Sequence, residues 1–297
     1  MNNFSSGHFK HQTANDKGFT LVEMLVVISI IAVLMGVLIP CLVKSRSQAR
    51  QLVCSSNIRQ LFIANCGYST ENDDFYVIAA NDICGKNLHR WHGVRDNLNE
   101  EFDPLRGPLV GYLQDGKIKR CPDFRKDKEF FSQAGQTGGN FEAGCGGYGY
   151  NDQYIGGRYD LYGMLEGPKS SAQSMAVKKP GQTVMFTDSA YYQSTNEGNA
   201  YIEYSFCHPP FWQWYIEFIN SLPTGISVSG IDGRPDPTIH FRHKGFTTVS
   251  WVDGHVSKET MDLSAAYITH AVMPQEQTAE KALGWFGPDN NNFFDLK

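Results

Sequence analysis

The sequence lacks the features by which several common classes of protein are recognised. Acidic residues outnumber basic residues, 31 to 26, and no basic stripe is present, so a nucleic-acid partner is not expected. The spacings His-Glu-x-x-His and Cys-x-x-Cys are absent, and no repeat of fixed period runs through the chain. Local motifs therefore favour neither a zinc centre nor a repeat architecture.

One long stretch without charge is present near the start of the chain. Residues 24–43 carry no charged side chain, and a helix of that length spans roughly 30 Å, the thickness of a bilayer's hydrocarbon core. No small-x-small cleavage site follows, as a secretory signal peptide requires, and Pro40 stands where a lipoprotein signal needs a small residue. The run thus predicts a membrane-spanning helix. Gly36 and Pro40 predict a bend in it, because proline removes a backbone donor.

The residues just before this run form a specific pattern. Lys17, Gly18, Phe19 and Glu23, followed by the apolar run, resemble the leader junction of type IV prepilins and type II secretion pseudopilins. The resemblance implies that a prepilin peptidase recognises a leader containing Lys17, cuts between Gly18 and Phe19, and methylates the new amino terminus of Phe19.

Glu23 is an ionisable residue inside an apolar helix, which makes it a functional candidate. We expect it to meet the amino group of Phe19 on a neighbouring subunit during assembly. At about 4 Å and an effective dielectric constant of about 20, that pair gains roughly 4 kcal/mol. The pair would then set the register between stacked helices.

The resemblance and the hydropathy pattern together predict the domain organisation. Residues 1–18 are a cytoplasmic leader that is removed, 19–43 the transmembrane part of the N-terminal helix, 44–67 its soluble half and 68–297 a periplasmic globular head. Basic residues flank both ends of the span, so only the resemblance places the amino terminus in the cytoplasm and the anchor in the inner membrane. The expected fold is α+β, with the long helix packed on an antiparallel β-sheet head, the lollipop shape of pilins.

Past the membrane, apolar residues recur every four positions. They are Cys54, Ile58, Phe62 and Cys66. This stripe predicts a helix face that a sheet covers, while Asn57 is assigned to the polar back of the helix. Pro-Gly punctuation before residues 183–186 predicts a strand that ends at Asp188.

The clearest signal in the head is a hairpin at residues 252–255. Its Asp-Gly centre is typical of a two-residue type I′ turn, whose central residues both need positive φ. The implied register pairs Trp251 with Val256 and places both on one apolar face with Val249.

His243, followed after nine residues by Asp253-Gly254, also resembles a C-terminal signature in a branch of prepilin-like proteins. Looser likenesses to that branch lie around Asn57 and at residues 148–151 and 179–188. They imply a family, without implying a chemistry.

The chain has seven cysteines, of which Cys41 lies at the membrane boundary. The other six are able to form disulfides if the head lies in an oxidising compartment. Cys54 and Cys66 are about 18 Å apart on one helix and do not bridge each other. Cys121 and Cys145 flank a glycine-rich loop and are a candidate disulfide. The alternative to disulfide formation is that several of these cysteines are small hydrophobic residues buried in the core.

Ligand-type residues also occur near the hairpin. His240 and His243 lie three apart on a predicted strand and point to opposite faces, so they are not expected to share an ion, and no metal site is assigned. Calcium stays an open alternative, because some secretion pseudopilins use it to hold C-terminal loops. Several carboxylates are able to supply oxygen donors, and no ligand set is assigned; they are those of Asp232, Asp236, Asp253 and Asp289. No other cofactor is expected.

These observations favour a structural subunit over an enzyme. The expected function is a pseudopilin or minor pilin of a type II secretion or type IV pilus-like fibre. Its partners are the prepilin peptidase, copies of itself, other pilins or pseudopilins, the inner-membrane assembly platform and the membrane. The alternative is a membrane-tethered head that binds or processes a ligand or carbohydrate. Two carboxylates roughly 5–9.5 Å apart in a deep cleft would favour that alternative.

Overall fold

In the computed structural model, the first described element is a long helix, α1 (Leu21–Glu71). The structure describes residues 19–124, 142–195, 198–212, 215, 233–262 and 279–297. Within these ranges the fold is α+β, with antiparallel strands following α1, as the sequence predicts. The chain divides into two compact units, residues 1–47 and residues 48–297.

The first unit consists, in its described part, of the N-terminal portion of α1. Its side chains are almost all exposed, including the large apolar ones. Among the described helices, α1 alone is long and apolar enough to cross a membrane. The helix continues through Gly36 and Pro40 as one element, and the predicted bend there stays a prediction.

α1 ends at Glu71, four residues beyond Gly67, which is the last residue of the predicted soluble half of the helix. A Cβ at Gly67 would lie 2.9 Å from the ring of Tyr112, so this glycine permits close packing instead of ending the helix. Ser69 and Thr70 donate hydrogen bonds from their side chains to the carbonyl of Cys66, at 3.0 and 2.9 Å. Two carbonyl groups of the last turn have partners beyond the helix: that of Tyr68 accepts from the side-chain amide of Asn72 at 2.7 Å, and that of Ser69 accepts from the N–H of Asp74 at 2.9 Å.

The second unit is built on a four-stranded antiparallel sheet. Its strands, in spatial order, are β3 (Tyr148–Tyr150), β4 (Val184–Asp188), β8 (Phe246–Trp251) and β9 (Val256–Thr260). Strand β4 is buried along its whole length, and α1 contacts it where the thiol of Cys54 meets Asp188. The strand predicted to end at Asp188 is therefore present.

Shorter elements surround this sheet. Three two-stranded antiparallel pairs occur in the described residues: β1 (His89–Arg90) with β2 (Gly93–Val94), β5 (Tyr191–Thr195) with β6 (Gly198–Ile202), and β7 (Ile239–His240) with β10 (Leu283–Gly284). A short helix, α2 (Tyr159–Glu166), has a kink at Gly163, whose φ is +66°. Single 3₁₀ turns cover Pro104–Arg106, Val110–Tyr112, Gly167–Lys169 and Ser174–Ala176.

The apolar stripe of α1 faces the core, with one difference from prediction. Cys54 and Ile58 are fully buried, and Phe62 and Cys66 pack at the margin. Asn57 is also buried, although it was predicted to lie on the polar back. Its side-chain amide donates to the hydroxyl of Tyr148 at 3.1 Å, so a polar side chain is tolerated on the inner face.

The predicted hairpin forms between β8 and β9, but its predicted register is wrong by one residue. Ser250 pairs with Val256, whereas the two-residue turn required Trp251 opposite Val256. Gly254 has a φ of +89° and Asp253 has no positive φ, so the turn is not type I′ and the connection covers residues 252–254. Val256 therefore lies opposite Ser250 and not on the face of Trp251.

All seven cysteines are free thiols in the structure, which differs from the candidate disulfide between Cys121 and Cys145. The Sγ atom of Cys121 lies 3.6 Å from Nε2 of His243. Cys145 faces a different carboxylate, with its Sγ atom 3.8 Å from Oε2 of Glu203. The two thiols thus have separate polar neighbours.

Candidate functional site

The N-terminal motif is described from Phe19 onward, and Lys17 and Gly18 lie outside the described residues. Thr20 is the residue before α1. Its backbone N–H donates to Oε2 of Glu23 at 2.8 Å, and the N–H of Glu23 donates to the hydroxyl oxygen of Thr20 at 3.2 Å. This reciprocal arrangement is a capping box. Glu23 therefore has an intrachain partner, and its predicted pairing with a neighbouring Phe19 stays a prediction.

The Asp253-Gly254 pair shapes the hairpin turn against α1. The backbone N–H of His255 donates to Oδ1 of Asp253 at 3.0 Å, which holds the turn. A Cβ at Gly254 would lie 2.6 Å from the ring of Phe62 on α1. The presence of Asp253 is therefore explained by the turn that it holds, and that of Gly254 by its close packing against Phe62.

His243, the first residue of the predicted signature, belongs to a buried cluster. Four side chains from four different segments converge there: Cys54 of α1, Cys121 of a loop, Asp188 at the end of β4 and His243 just before β8. One ligand-type atom from each lies within 4.8 Å of the corresponding atom of every other. We call these four residues the thiol cluster.

Direct contacts connect the members of the thiol cluster. The thiol of Cys54 donates to Oδ1 of Asp188 at 3.1 Å. Nε2 of His243 lies 3.2 Å from Oδ2 of Asp188 and 3.6 Å from Sγ of Cys121. Asp188 is held in place by the backbone N–H of Thr248, which donates to Oδ2 at 2.8 Å. The four polar groups thus point toward a common centre.

Two tight turns present members of the cluster. Lys244 and Gly245 have φ values of +57° and +87°, and His243 and Phe246 exchange backbone hydrogen bonds across them. This is the two-residue turn typical of a hairpin, and it fixes the direction of His243. Residues 121–124 also form a tight turn, since the N–H of Phe124 donates to the carbonyl of Cys121 at 3.1 Å.

Charged residues surround the cluster. Nδ1 of His243 lies 2.9 Å from Oδ2 of Asp123, whose other oxygen accepts a hydrogen bond from Arg50. The side chain of Arg242 is buried, and its Nε atom lies 3.9 Å from Oδ1 of Asp188. Arg242 also donates to the carbonyl of Gly147 at 3.0 Å.

Burial and neighbouring charges set the protonation of the cluster. Burial raises the pKa of Asp188, but Arg242 and His243 outweigh it and hold that pKa at about 2. Burial lowers the pKa of His243, and its hydrogen bonds to Asp188 and Cys121 raise it to about 10. The neighbouring Cys54 thiol lowers the pKa of the Cys121 thiol, and the neighbouring Cys121 raises the pKa of Cys54. The cluster therefore contains a negatively charged carboxylate, Asp188, in direct contact with a positively charged imidazolium, His243.

The sequence did not predict this cluster, although it identified each member separately. Cys54 was assigned to an apolar stripe, Cys121 to a candidate disulfide, Asp188 to a strand end and His243 to a signature. Their positions are far apart along the chain, so no local spacing brings them together. His240, Asp253 and His255, the other ligand-type residues near the hairpin, are not members.

The aspartates that were named as oxygen donors for calcium have other partners where the structure describes them. Arg234 donates to both carboxylate oxygens of Asp289 at 2.8 Å, and Asp236 accepts a hydrogen bond from the hydroxyl of Tyr191 at 2.9 Å. Asp253 caps its own turn, and Asp232 lies outside the described residues.

Surface grooves bear on the alternative of a ligand-processing head. One groove of about 370 Å³ is lined by two carboxylates, those of Asp82 and Glu166, among other residues. The Asp82 carboxylate accepts hydrogen bonds from the N–H groups of Leu88 and His89, at 2.9 and 3.1 Å. Lys169 pairs with Glu166 at 2.6 Å. Both carboxylates of this groove therefore already have partners.

Comparison with known proteins gives matches to a family model and to curated relatives, each over part of the chain. Residues 13–39 match the family model described as the prokaryotic N-terminal methylation motif. The chain is 32% identical over 106 residues to the type IV major pilin protein PilA of Myxococcus xanthus, a match covering 36% of this chain and 40% of that protein. It is 39% identical over 61 residues to the type IV wide pilus major component PilA4 of Thermus thermophilus, covering 20% and 47%.

The chain therefore spans less than half the length of these two relatives. No solved structure matches the chain. The matches confirm the predicted resemblance: the chain carries an N-terminal methylation motif and is type IV pilin-like. The apolar first part of α1 and this motif fit membrane anchoring.

Proposed function

We propose that this type IV pilin-like chain is a structural subunit, a pseudopilin or minor pilin, of a type II secretion or type IV pilus-like fibre. The observation that carries the proposal is the methylation motif at residues 13–39, which includes the apolar first part of α1, a helix long and apolar enough to cross a membrane. The matched relatives are structural pilins by name, which supports a structural role over an enzymatic one.

The first step in this proposal is maturation at the motif. A prepilin peptidase removes the leader by cutting between Gly18 and Phe19 and methylates the amine of Phe19. The head then lies on the far side of the inner membrane from the leader, held by a single span. The partners of the mature chain are copies of itself, other pilins or pseudopilins and the membrane-embedded assembly platform.

The second step is assembly through Glu23. In the isolated chain its carboxylate accepts hydrogen bonds from Thr20. A capping interaction contributes about 1 kcal/mol. A charge pair with the Phe19 amine of a neighbour, at about 4 Å and an effective dielectric constant of about 20, contributes roughly 4 kcal/mol. Because the charge pair is the stronger interaction, Glu23 exchanges its intrachain partner for the interchain one when subunits stack.

A pair of substitutions separates these two roles of Glu23. We expect Glu23→Val to insert into the membrane normally but to be lost from sheared fibres or the assembled complex, because the amine of the neighbour has no counter-charge. Thr20→Val removes the side-chain cap and keeps the carboxylate, so it should assemble. The measurement is immunoblotting of membrane and fibre fractions. Normal incorporation of Glu23→Val, or an equal defect in Thr20→Val, would contradict an assembly role.

A further inference from the structure

We propose that the thiol cluster is a structural zinc site, in which Cys54, Cys121, Asp188 and His243 each supply one ligand. The proposal replaces the expectation from sequence that the chain has no metal site. It is independent of the proposed role in a fibre, because the site is built entirely by residues 48–297.

The type and number of the ligands favour zinc. Two cysteine sulfurs, one imidazole nitrogen and one carboxylate oxygen form a four-member set, and structural zinc sites are almost always four-coordinate with such ligands. Thiolate sulfur disfavours magnesium and calcium, which prefer oxygen. All four residues are buried, so a bound ion would have no open position for a substrate.

The distances agree with a tetrahedral ion after small movements. Bonds of about 2.0–2.3 Å around a tetrahedral zinc place its ligand atoms about 3.3–3.8 Å apart. In the cluster, Cys54 Sγ is 3.1 Å from Asp188 Oδ1, Cys121 Sγ is 3.6 Å from His243 Nε2, and no pair of ligand atoms exceeds 4.8 Å. A pair at the 4.8 Å limit would have to close by about 1 Å to reach the tetrahedral range.

The charges in and around the cluster also suit a divalent cation. Two thiolates and one carboxylate bring one negative charge more than the ion neutralises. The buried guanidinium of Arg242, 3.9 Å from Asp188, supplies the balancing positive charge. A buried site with balanced charge avoids the large desolvation cost of an unpaired ion.

The residues around the four ligands make contacts of the kind that supports a metal site. A histidine bound to zinc through one nitrogen usually donates from the other to a carboxylate or carbonyl. Nδ1 of His243 lies 2.9 Å from Oδ2 of Asp123, while Nε2 faces the cluster. The N–H of Thr248 donates to Asp188 at 2.8 Å and orients that carboxylate. Asp123 and Thr248 are thus positioning residues.

A zinc ion here would connect α1 to three other segments of the head. Cys54 is the ligand from α1, and the others come from the Cys121 loop, the end of β4 and the turn before β8. The free energy of metal binding at a site formed only in the folded chain adds to folding stability. We therefore expect the ion to hold the helix against the sheet.

The first test measures metal in the full-length chain, purified from membranes in detergent without a chelator. Inductively coupled plasma mass spectrometry should give about one zinc per chain, as for a closed four-ligand site. Cys54→Ser should reduce the zinc to background. Cys66→Ser is the control, because it removes a thiol from the same helix outside the cluster, and it should keep the zinc. Zinc at background in the unsubstituted chain, after incubation with zinc chloride and desalting, would overturn the proposal.

The second test does not depend on a ligand variant that folds. Asp123→Asn should keep a stoichiometric site but weaken zinc about 10–100-fold in competition with a chromophoric chelator, because the imidazole loses its anionic partner. A merely structural role of Asp123 would leave the zinc affinity unchanged, and that result would contradict its role in the site. Non-reducing peptide mapping of the unsubstituted chain should find Cys54 and Cys121 unlinked. A disulfide joining them would overturn the zinc site outright.

Discussion

Gly254 shows how one residue of the C-terminal signature is fixed by two separate constraints. Its φ is +89°, a conformation that favours glycine, and a Cβ there would lie 2.6 Å from the ring of Phe62. Gly245 shares the first constraint, with a φ of +87°, but has no atom within 4 Å of an added Cβ. Comparing substitutions at these two glycines therefore distinguishes the effect of backbone strain, which both share, from the effect of packing, which only Gly254 has.

We expect Gly254→Ala to destabilise the head more than Gly245→Ala. Overpacking of a filled site costs about 1–3 kcal/mol beyond the strain that both variants share. The measurement is chemical denaturation followed by tryptophan fluorescence. Equal losses in the two variants would show that the contact between the turn and Phe62 has no energetic role.

Asp152 is a buried carboxyl group with an incomplete set of hydrogen bonds. Its Oδ2 atom accepts from the side chain of Gln153 at 2.6 Å, while Oδ1 has no partner. Burial raises its pKa to about 7, against 3.8 for the ordinary group. The folded chain thus holds this proton where the unfolded chain has lost it, so the stabilising contribution is present below pH 3.8 and is lost as pH rises toward 7.

Asp152→Asn should remove this pH dependence, because the amide does not ionise. Relative to the unsubstituted chain, the variant should gain stability between pH 4 and pH 8, by up to about 4 kcal/mol for a shift of about three pKa units. His208 lies 4.0 Å away and titrates in the opposite sense, so the difference between the two chains is the relevant quantity. Parallel stability curves over this range would contradict the assignment.

At the scale of elements, buried amides attach α1 to strand β3. Asn65 donates to the hydroxyl of Tyr150 at 3.0 Å and accepts from the backbone N–H of Val77 at 2.9 Å. Asn57 makes the equivalent contact to the hydroxyl of Tyr148, which lies two strand positions before Tyr150. Two polar residues on the inner face of the helix thus set its register against alternate tyrosines of the strand.

Asn65→Ala should therefore cost about 1–3 kcal/mol, since it leaves the N–H of Val77 buried without its acceptor. Ser56→Ala is a matched control, because Ser56 is exposed on the same helix and should change stability little. Thermal unfolding of the two variants by circular dichroism tests the difference. A loss for Asn65→Ala no larger than that of Ser56→Ala would argue against this helix attachment.

The elements themselves were partly predictable from the sequence. The stripe of Cys54 and Ile58 predicted the buried face of α1, because helical periodicity is a local property. The burial of Asn57 was missed, since its partner Tyr148 is distant in sequence. The hairpin was predicted but its register was not, because the connection has three residues, of which only Gly254 has a positive φ, instead of the two of a type I′ turn.

At the scale of the whole molecule, the two parts of the chain differ in how much their sequence reveals. The N-terminal motif consists of contiguous residues, so its pattern was sufficient to predict the family resemblance that the comparisons confirmed. The thiol cluster draws one residue from each of four segments, and only the folded chain brings them together. A motif of adjacent residues is therefore recognisable in this sequence, whereas a cluster assembled by folding is not.

Maturation makes a prediction about the chain as a whole. Gly18→Ala should retain the leader in cells that contain a prepilin peptidase, because a Cβ at this position obstructs close approach of the protease. Gly36→Ala is the control, since an added Cβ there has no atom within 4 Å, and it should be processed normally. The mass of each purified chain decides between these outcomes. A mature mass for Gly18→Ala would contradict the assigned cleavage position.

The most direct test of the structural-subunit assignment is amino-terminal mass spectrometry of the native protein purified from its own membranes. We predict that the chain begins at Phe19 and that its terminal amine carries a methyl group. A chain that retains residues 1–18, or that begins at any other residue, would contradict the assignment.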